Sequence, residues 1–184
     1  MTDKRLIRTW SGVFFSPLEP HPEDIRPEDI AHALSLLCRA NGHFRCFYSG
    51  GQHCLACEAE AHAAGLPRSV RIACLLHDAS EAYISDITRP VKLGLPEYRV
   101  IEKRLQDTIY RRFGIDPEDS AVMSEVSRID DTMLYHEFLA LGGCALFDEA
   151  PPKITDPEFA FRPFDEVEVQ YLKTLMELLN SEEQ

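Results

Sequence analysis

The sequence predicts an all-α fold, a single helical bundle with a short β-hairpin at its N-terminus as the only strand structure. Apolar residues recur three and four apart in successive segments, the period of an amphipathic helix. One segment, SVRIACLL at 69–76, is apolar nearly all round and so belongs inside a bundle. Proline and glycine stops separate the segments, and loose alternation is confined to the start of the chain.

Residues 6–16, LIRTWSGVFFS, alternate loosely and are rich in aromatic and β-branched types, which predicts the hairpin. The prolines of SPLEPHPEDIRP then hold the chain extended until Pro27, which suits the first turn of a helix. Ile30, Leu34, Leu37 and Cys38 place the first helix over 27–41, stopped at Asn41-Gly42. A second helix is expected over 51–62, and a third from Ser69 into HDASEAYISDITRP. Pro96 opens a fourth, with Ile101, Leu105, Ile109 and Phe113 four apart and Gly114 closing it. A fifth carries Val122, Val126, Ile129, Met133, Leu134, Phe138 and Leu141 up to Gly142-Gly143. The proline-broken segment 145–163 reads as an irregular loop packed on the surface. Asp165 and Glu168 resemble a capping box for a last helix through Tyr171, Leu172, Leu175 and Leu178, and the end, NSEEQ, is expected to fray. One domain over 1–184 follows, with an extension at 1–26, a core at 27–141 and a C-terminal loop and helix at 142–184.

Composition narrows the function. The net charge of −12 argues against broad binding to nucleic acid, which depends on neutralising many phosphates. No apolar run approaches the ~18 residues that a membrane span needs. The start, MTDKRLIRTWSG, lacks the apolar stretch of a signal peptide, so a cytoplasmic protein is expected. Cys38, Cys46, Cys54, Cys57, Cys74 and Cys144 read as free thiols, and Cys54-x-x-Cys57, with no second such pair, reads as two core residues.

The chemistry concentrates in HDASEAYISDITRP, 77–90. Acids are uncommon at the C-terminal end of a buried helix, where the macrodipole opposes them. A cation bound by His77 and Asp78 accounts for the excess, but adjacent helical residues diverge by about 100° and cannot complete a coordination sphere alone. His53 and Asp130, in otherwise core-facing settings on other helices, are suitable further donors. Two imidazoles and two carboxylates suit one divalent transition ion, Mn, Co, Fe, Ni or Zn, better than Mg. Glu81 and Asp86 are candidates to orient water or move a proton, in an order the spacing leaves open. Arg39, Arg89 and Lys92 are the cations suited to phosphate oxygens.

At these residues the chain resembles the HD-domain metal-dependent phosphohydrolases, whose histidine, His-Asp doublet and later aspartate map onto His53, His77-Asp78 and Asp130. The run HDASEAYISDITRPVK is similar to the bacterial 5′-deoxynucleotidases, which implies catalytic or phosphate-binding roles for Glu81, Asp86 and Lys92. Upstream, DIAHALSLLCRANGHFRCFYSGGQH resembles a phage and bacterial branch that includes deoxynucleoside triphosphate triphosphohydrolases. That branch implies phosphate or sugar contact for Arg39, base contact around Trp10 and Val13, and a recurrent Gly-His at His43. Glu137, seven residues after Asp130, keeps the family's register and favours Asp130 over Asp131 as ligand. Ala40 stands where the family often has an aromatic residue, and Gly50-Gly51 where Val-Ala is more usual.

The resemblance spans roughly residues 8–140 and implies an HD-domain bundle. It also implies a hydrolase of nucleotides, deoxynucleoside mono- or triphosphates first, with an alarmone or cyclic-nucleotide hydrolase and a non-catalytic nucleotide sensor as alternatives. His32, His62 and His136 read as structural or surface residues. The expected partner is a small nucleotide, with no nucleic acid or membrane, and a homo-oligomer, dimer or higher, is the base-rate assembly.

Overall fold

The computed structural model describes residues 4–181; of the end expected to fray, 180–184, Asn180 closes the last helix and residues 182–184 lie outside those described. Among the described residues the fold is all-α apart from one hairpin. β1 (Ile7–Arg8) pairs antiparallel with β2 (Phe14–Phe15) in the register Ile7 opposite Phe15, and Gly12 turns the loop at φ +92°. The helices are α1 (Pro27–Leu36), α2 (Gly50–Ala63), α3 (Arg68–Leu76), α4 (Glu81–Ile84), α5 (Arg89–Leu93), α6 (Pro96–Arg112), α7 (Ser120–Glu137) and α8 (Phe164–Asn180). No helix among the described residues is long and apolar enough to cross a membrane.

α3 is the central element, as its apolar sequence requires. Val70, Ile72, Ala73, Cys74, Leu75 and Leu76 are all buried, with α2, α6, α7 and α8 packed around them. The last carbonyls of a helix have no partner within it, and here side chains from elsewhere take them. Tyr110 Oη donates to Ala73, Tyr171 Oη to Leu75 at 2.6 Å, and Gln106 Nε2 to Leu76 at 2.8 Å. Gln106 Oε1 also accepts from the Ser80 amide at 3.0 Å, so one residue of α6 clamps both sides of the turn holding His77 and Asp78. The direction of that turn is therefore set by the packed core.

Several boundaries differ from the expectation. α1 ends at Leu36, because the chain turns extended at Leu37 and forms an antiparallel bridge between Cys38 and Ser49. Arg39 donates its amide to Tyr48 and then enters a left-handed turn, with Ala40 at φ +50°, Asn41 at +49° and Gly42 at +79°. α3 ends at Leu76, at the edge of HDASEAYISDITRP, and Glu81 starts α4 after a turn closed by its amide on the Asp78 carbonyl. The capping box expected at Asp165 and Glu168 does not form: α8 begins after Pro163 without a side-chain cap, and Glu168 pairs with His32 at 2.9 Å. A capping box exists at α2, where Ser49 and Gln52 satisfy each other's amides.

α1, α2 and α8 meet at Gly51. A Cβ there would lie 3.0 Å from Val167 Cγ1 and 3.3 Å from the backbone of Leu34 and Ser35, so glycine permits the approach that seats α2. The loop 145–163 is irregular, as expected, and pinned to the bundle. Glu60 accepts from the amides of Ile154 and Thr155 and from the Thr155 hydroxyl, and His136 meets the Pro151 carbonyl.

Candidate metal centre

Four donors predicted from sequence converge from three elements. His53 is one turn inside α2, His77 and Asp78 follow α3 directly, and Asp130 lies near the middle of α7. His53 Nε2 is 3.1 Å from His77 Nε2 and 3.0 Å from Asp130 Oδ1. His77 Nε2 lies 3.4 Å from Asp78 Oδ2 and 3.5 Å from Asp130 Oδ1, and Asp78 Oδ2 is 3.9 Å from His53 Nε2. Asp131, by contrast, faces out and pairs at 3.8 Å with the exposed Arg89.

The second nitrogens set how the rings are turned. His77 Nδ1 lies 2.8 Å from the Cys74 carbonyl, which can only accept, so Nδ1 carries a hydrogen and Nε2 is the atom turned toward the other donors. His53 Nδ1 donates to Glu137 Oε1 at 2.6 Å, which leaves its Nε2 turned inward too. Both Nε2 atoms thus face each other among carboxylate oxygens, a place that calls for positive charge, whether protons on the imidazoles or a cation bound by them. The electrostatics agree. Burial and Arg39 lower the proton affinity of His53, yet Cys57, Glu137 and Asp130 outweigh them and raise it well above the usual histidine range. His77 is raised likewise against burial, by Asp78 foremost, and hydrogen bonds from the two histidines hold Asp130 well below the carboxylate range despite desolvation. The groups gathered here could hold a metal ion.

Glu137 is the residue that sequence reading used only as a register mark. It is fully buried, with Oε1 on His53 and Oε2 accepting from Arg39 at 3.3 Å, while the other Arg39 arm donates to Asp78 at 3.1 Å. A carboxylate behind a histidine that also engages an arginine is the kind of outer support that orients metal ligands. Sequence reading also missed the thiols' position. The groups His53, Cys57, His77 and Cys54, His77, Asp78 each bring their ligand atoms within 4.8 Å of one another and can hold a metal ion. Cys57 Sγ is 3.6 Å from His53 Nε2.

A scan against models of known protein families finds no match. Among curated proteins, the chain is 35% identical over 136 residues to "Uncharacterized protein YfdR" of Escherichia coli (strain K12), covering 74% of this chain and 72% of that one. The chain belongs to the YfdR family. An uncharacterized protein of Rhodobacter capsulatus is likewise 35% identical over 132 residues, 68% of this chain and 67% of its own.

In this YfdR-family chain two cavities open onto the centre and share Asp78, Glu81, Lys92 and Asp130 as their common wall. One, of about 660 Å³, has Arg39, Ala40, His43, Asp86 and Arg89 with Ile87, Leu134, Phe138 and Leu146. The other, of about 810 Å³, runs along α6 past Arg99, Glu102, Gln106 and Tyr110. Burial, Asp78 and Asp86 push the Glu81 carboxyl up to about 9. Lys92 bonds Glu102 and lies 3.8 Å from Glu81.

Arg39, His43, Arg89, Lys92, Glu81 and Asp86 therefore all border the centre's cavities. Trp10 does not. It is 66% exposed, lines neither cavity, and stacks on His32 with ring centroids 4.1 Å apart. The hairpin carries it to the α1–α8 side, where the Ser11 amide and hydroxyl bind Asp29. Val13 packs against the core. The base contact implied for these two residues is not supported within this chain.

Proposed function

We propose that this protein is a metal-dependent phosphohydrolase of the HD-domain type that acts on nucleotides in the cytoplasm. The observation that carries the reading is the convergence of His53, His77, Asp78 and Asp130, with both imidazole Nε2 atoms turned inward by Cys74 and Glu137. A divalent transition metal held there would supply Lewis acidity toward a phosphoryl oxygen and toward water.

The remaining residues fit binding and proton handling. Arg39 presents a planar fork, held by Asp78 and Glu137, beside the centre. Lys92 stands on the wall between the cavities and neutralises charge on either side. Glu81 reaches both cavities whereas Asp86 reaches one, which favours Glu81 for holding or moving the proton and Asp86 for contact with substrate. Ile87, Leu134, Phe138 and Leu146 give the 660 Å³ cavity an apolar side for a nucleoside.

Charge favours a monophosphate over a triphosphate. Arg39 and Lys92 are each already engaged by two acids, and Asp78, Asp86, Glu81 and Asp130 surround the reacting position. A phosphate monoester near −2 at neutral pH matches a divalent cation in that setting better than a triphosphate does. The six unpaired cysteines suit a reducing compartment.

The test is a panel of deoxy- and ribonucleoside mono- and triphosphates with Mn(II), Co(II) or Zn(II), read by product analysis. Inorganic phosphate and nucleoside from a monophosphate, abolished by chelator, are expected. Release of intact triphosphate would correct the substrate class. No turnover on any nucleotide, with binding retained, would favour a sensor.

A further inference from the structure

The Cys57 thiol lies directly beside the His53 imidazole, 3.6 Å from its Nε2. Every distance among the predicted donors refers to the same two imidazole nitrogens, and those nitrogens have soft as well as hard neighbours. For ligands about 2.1 Å from an ion, neighbouring octahedral donors are about 3.0 Å apart. His53 Nε2 meets that spacing with Asp130 at 3.0 Å and with His77 at 3.1 Å. For a tetrahedral ion with nitrogen near 2.05 Å and sulfur near 2.3 Å, the nitrogen–sulfur edge is about 3.6 Å. That is the separation of His53 Nε2 from Cys57 Sγ, one helical turn along α2.

We propose that His53, His77 and Cys57 form an alternative site for a thiophilic divalent cation such as Cd(II), exclusive of the harder ion held with Asp78 and Asp130. The inference rests on the metal reading above and adds a regulation of that centre. Both modes use both imidazoles, so one ion displaces the other. The three ligand atoms of the soft mode already lie within 4.8 Å of one another, and Cys57 is buried beside His53. On binding, the Cys57 S–H bond breaks, a sulfur–metal bond forms, and the proton leaves to solvent. Softness decides between the modes: thiolate draws Cd, whereas the carboxylates favour Mn. A cation seated on Cys57 is drawn toward the core side of the imidazoles and away from the cavity wall, so the soft mode is inhibitory.

The experiment titrates the full-length reduced protein, in a Cys144→Ser background because that thiol is exposed, with Cd(II) and separately with Mn(II). The expected result is an ultraviolet thiolate-to-cadmium absorption that saturates, disappears in Cys57→Ser and Cys57→Ala, persists in Cys54→Ser, and is lost on adding excess Mn(II). Cd(II) affinity should fall in the Cys57 variants by at least the roughly 10- to 100-fold that even outer-shell changes cost, with Mn(II) affinity little changed. Mn(II) binding without a cadmium–thiolate band in the unsubstituted Cys57 protein, or a band that survives both Cys57 variants, would overturn the alternative site alone. Failure of both ions to bind would overturn the metal centre itself.

Discussion

Glu137 Oε1 lies 2.6 Å from His53 Nδ1, and neither side chain is exposed to solvent. Each residue makes the other tolerable: the carboxylate fixes the imidazole tautomer, and the imidazole and Arg39 satisfy the buried charge. Glu137→Gln keeps the volume and an acceptor for Nδ1 but removes the charge. Metal affinity is expected to fall by about 10- to 100-fold with circular dichroism unchanged. Unchanged affinity would assign Glu137 to packing alone.

Trp10 tests the division between scaffold and site. Stacked on His32 away from the cavities, Trp10→Ala should cost about 0.5–1.5 kcal/mol of stability. KM for a nucleotide should not move. A raised KM with normal melting would return Trp10 to the substrate site.

The left-handed turn after Arg39 makes opposite demands on two substitutions. At Ala40, φ +50° is a conformation that disfavours a Cβ and is worse for a branched one. Ala40→Gly should leave stability level or raise it by up to about 1 kcal/mol. Ala40→Val should cost about 1–3 kcal/mol and, by shifting Arg39 and the cavity wall, weaken substrate binding. Thermal melts and KM for both variants check this.

Glu60 gives a pH dependence with a defined sign. Burial would raise its carboxyl, but hydrogen bonds from the Thr155 hydroxyl and from the Thr155 and Ile154 amides lower it below the usual value. A folded-state value below the unfolded one stabilises the protein above the unfolded value and loses that contribution as pH falls through the folded one. Relative to Glu60→Gln, the native chain should be about 1–3 kcal/mol more stable at neutral pH. The gap should close in acid below about pH 4. Melting both proteins from pH 7 to 3 measures it.

Local signals were legible and long-range ones were not. The hairpin, α6 and the start of α1 follow from alternation, four-residue spacing and Pro27. The end of α1 does not, because a bridge to Ser49 across a loop pulls Cys38 and Arg39 out of a periodic pattern that still looks helical. Glu168 stands where a capping residue would, but His32, distant in sequence, claims it. The Ser49-x-x-Gln52 box, in contrast, is a local spacing signal.

At the site, His53, His77, Asp78 and Asp130 stood out because polar metal-binding types interrupt apolar helices. The support beneath them was invisible for the same reason in reverse. Gln106, Tyr110 and Tyr171 sit in helices that read as ordinary amphipathic segments, and only packing aims their polar atoms at the last carbonyls of α3. Cys57 reads as a core thiol, which it is, and the fold alone sets it against His53.

Anomalous diffraction at the manganese absorption edge, from crystals grown with Mn(II), tests the metal centre most directly. The expected map has one strong peak bounded by His53 Nε2, His77 Nε2 and carboxylate oxygens of Asp78 and Asp130, and it vanishes in Asp130→Asn. A well-ordered site without a peak, or with the ion on other residues, would contradict the account.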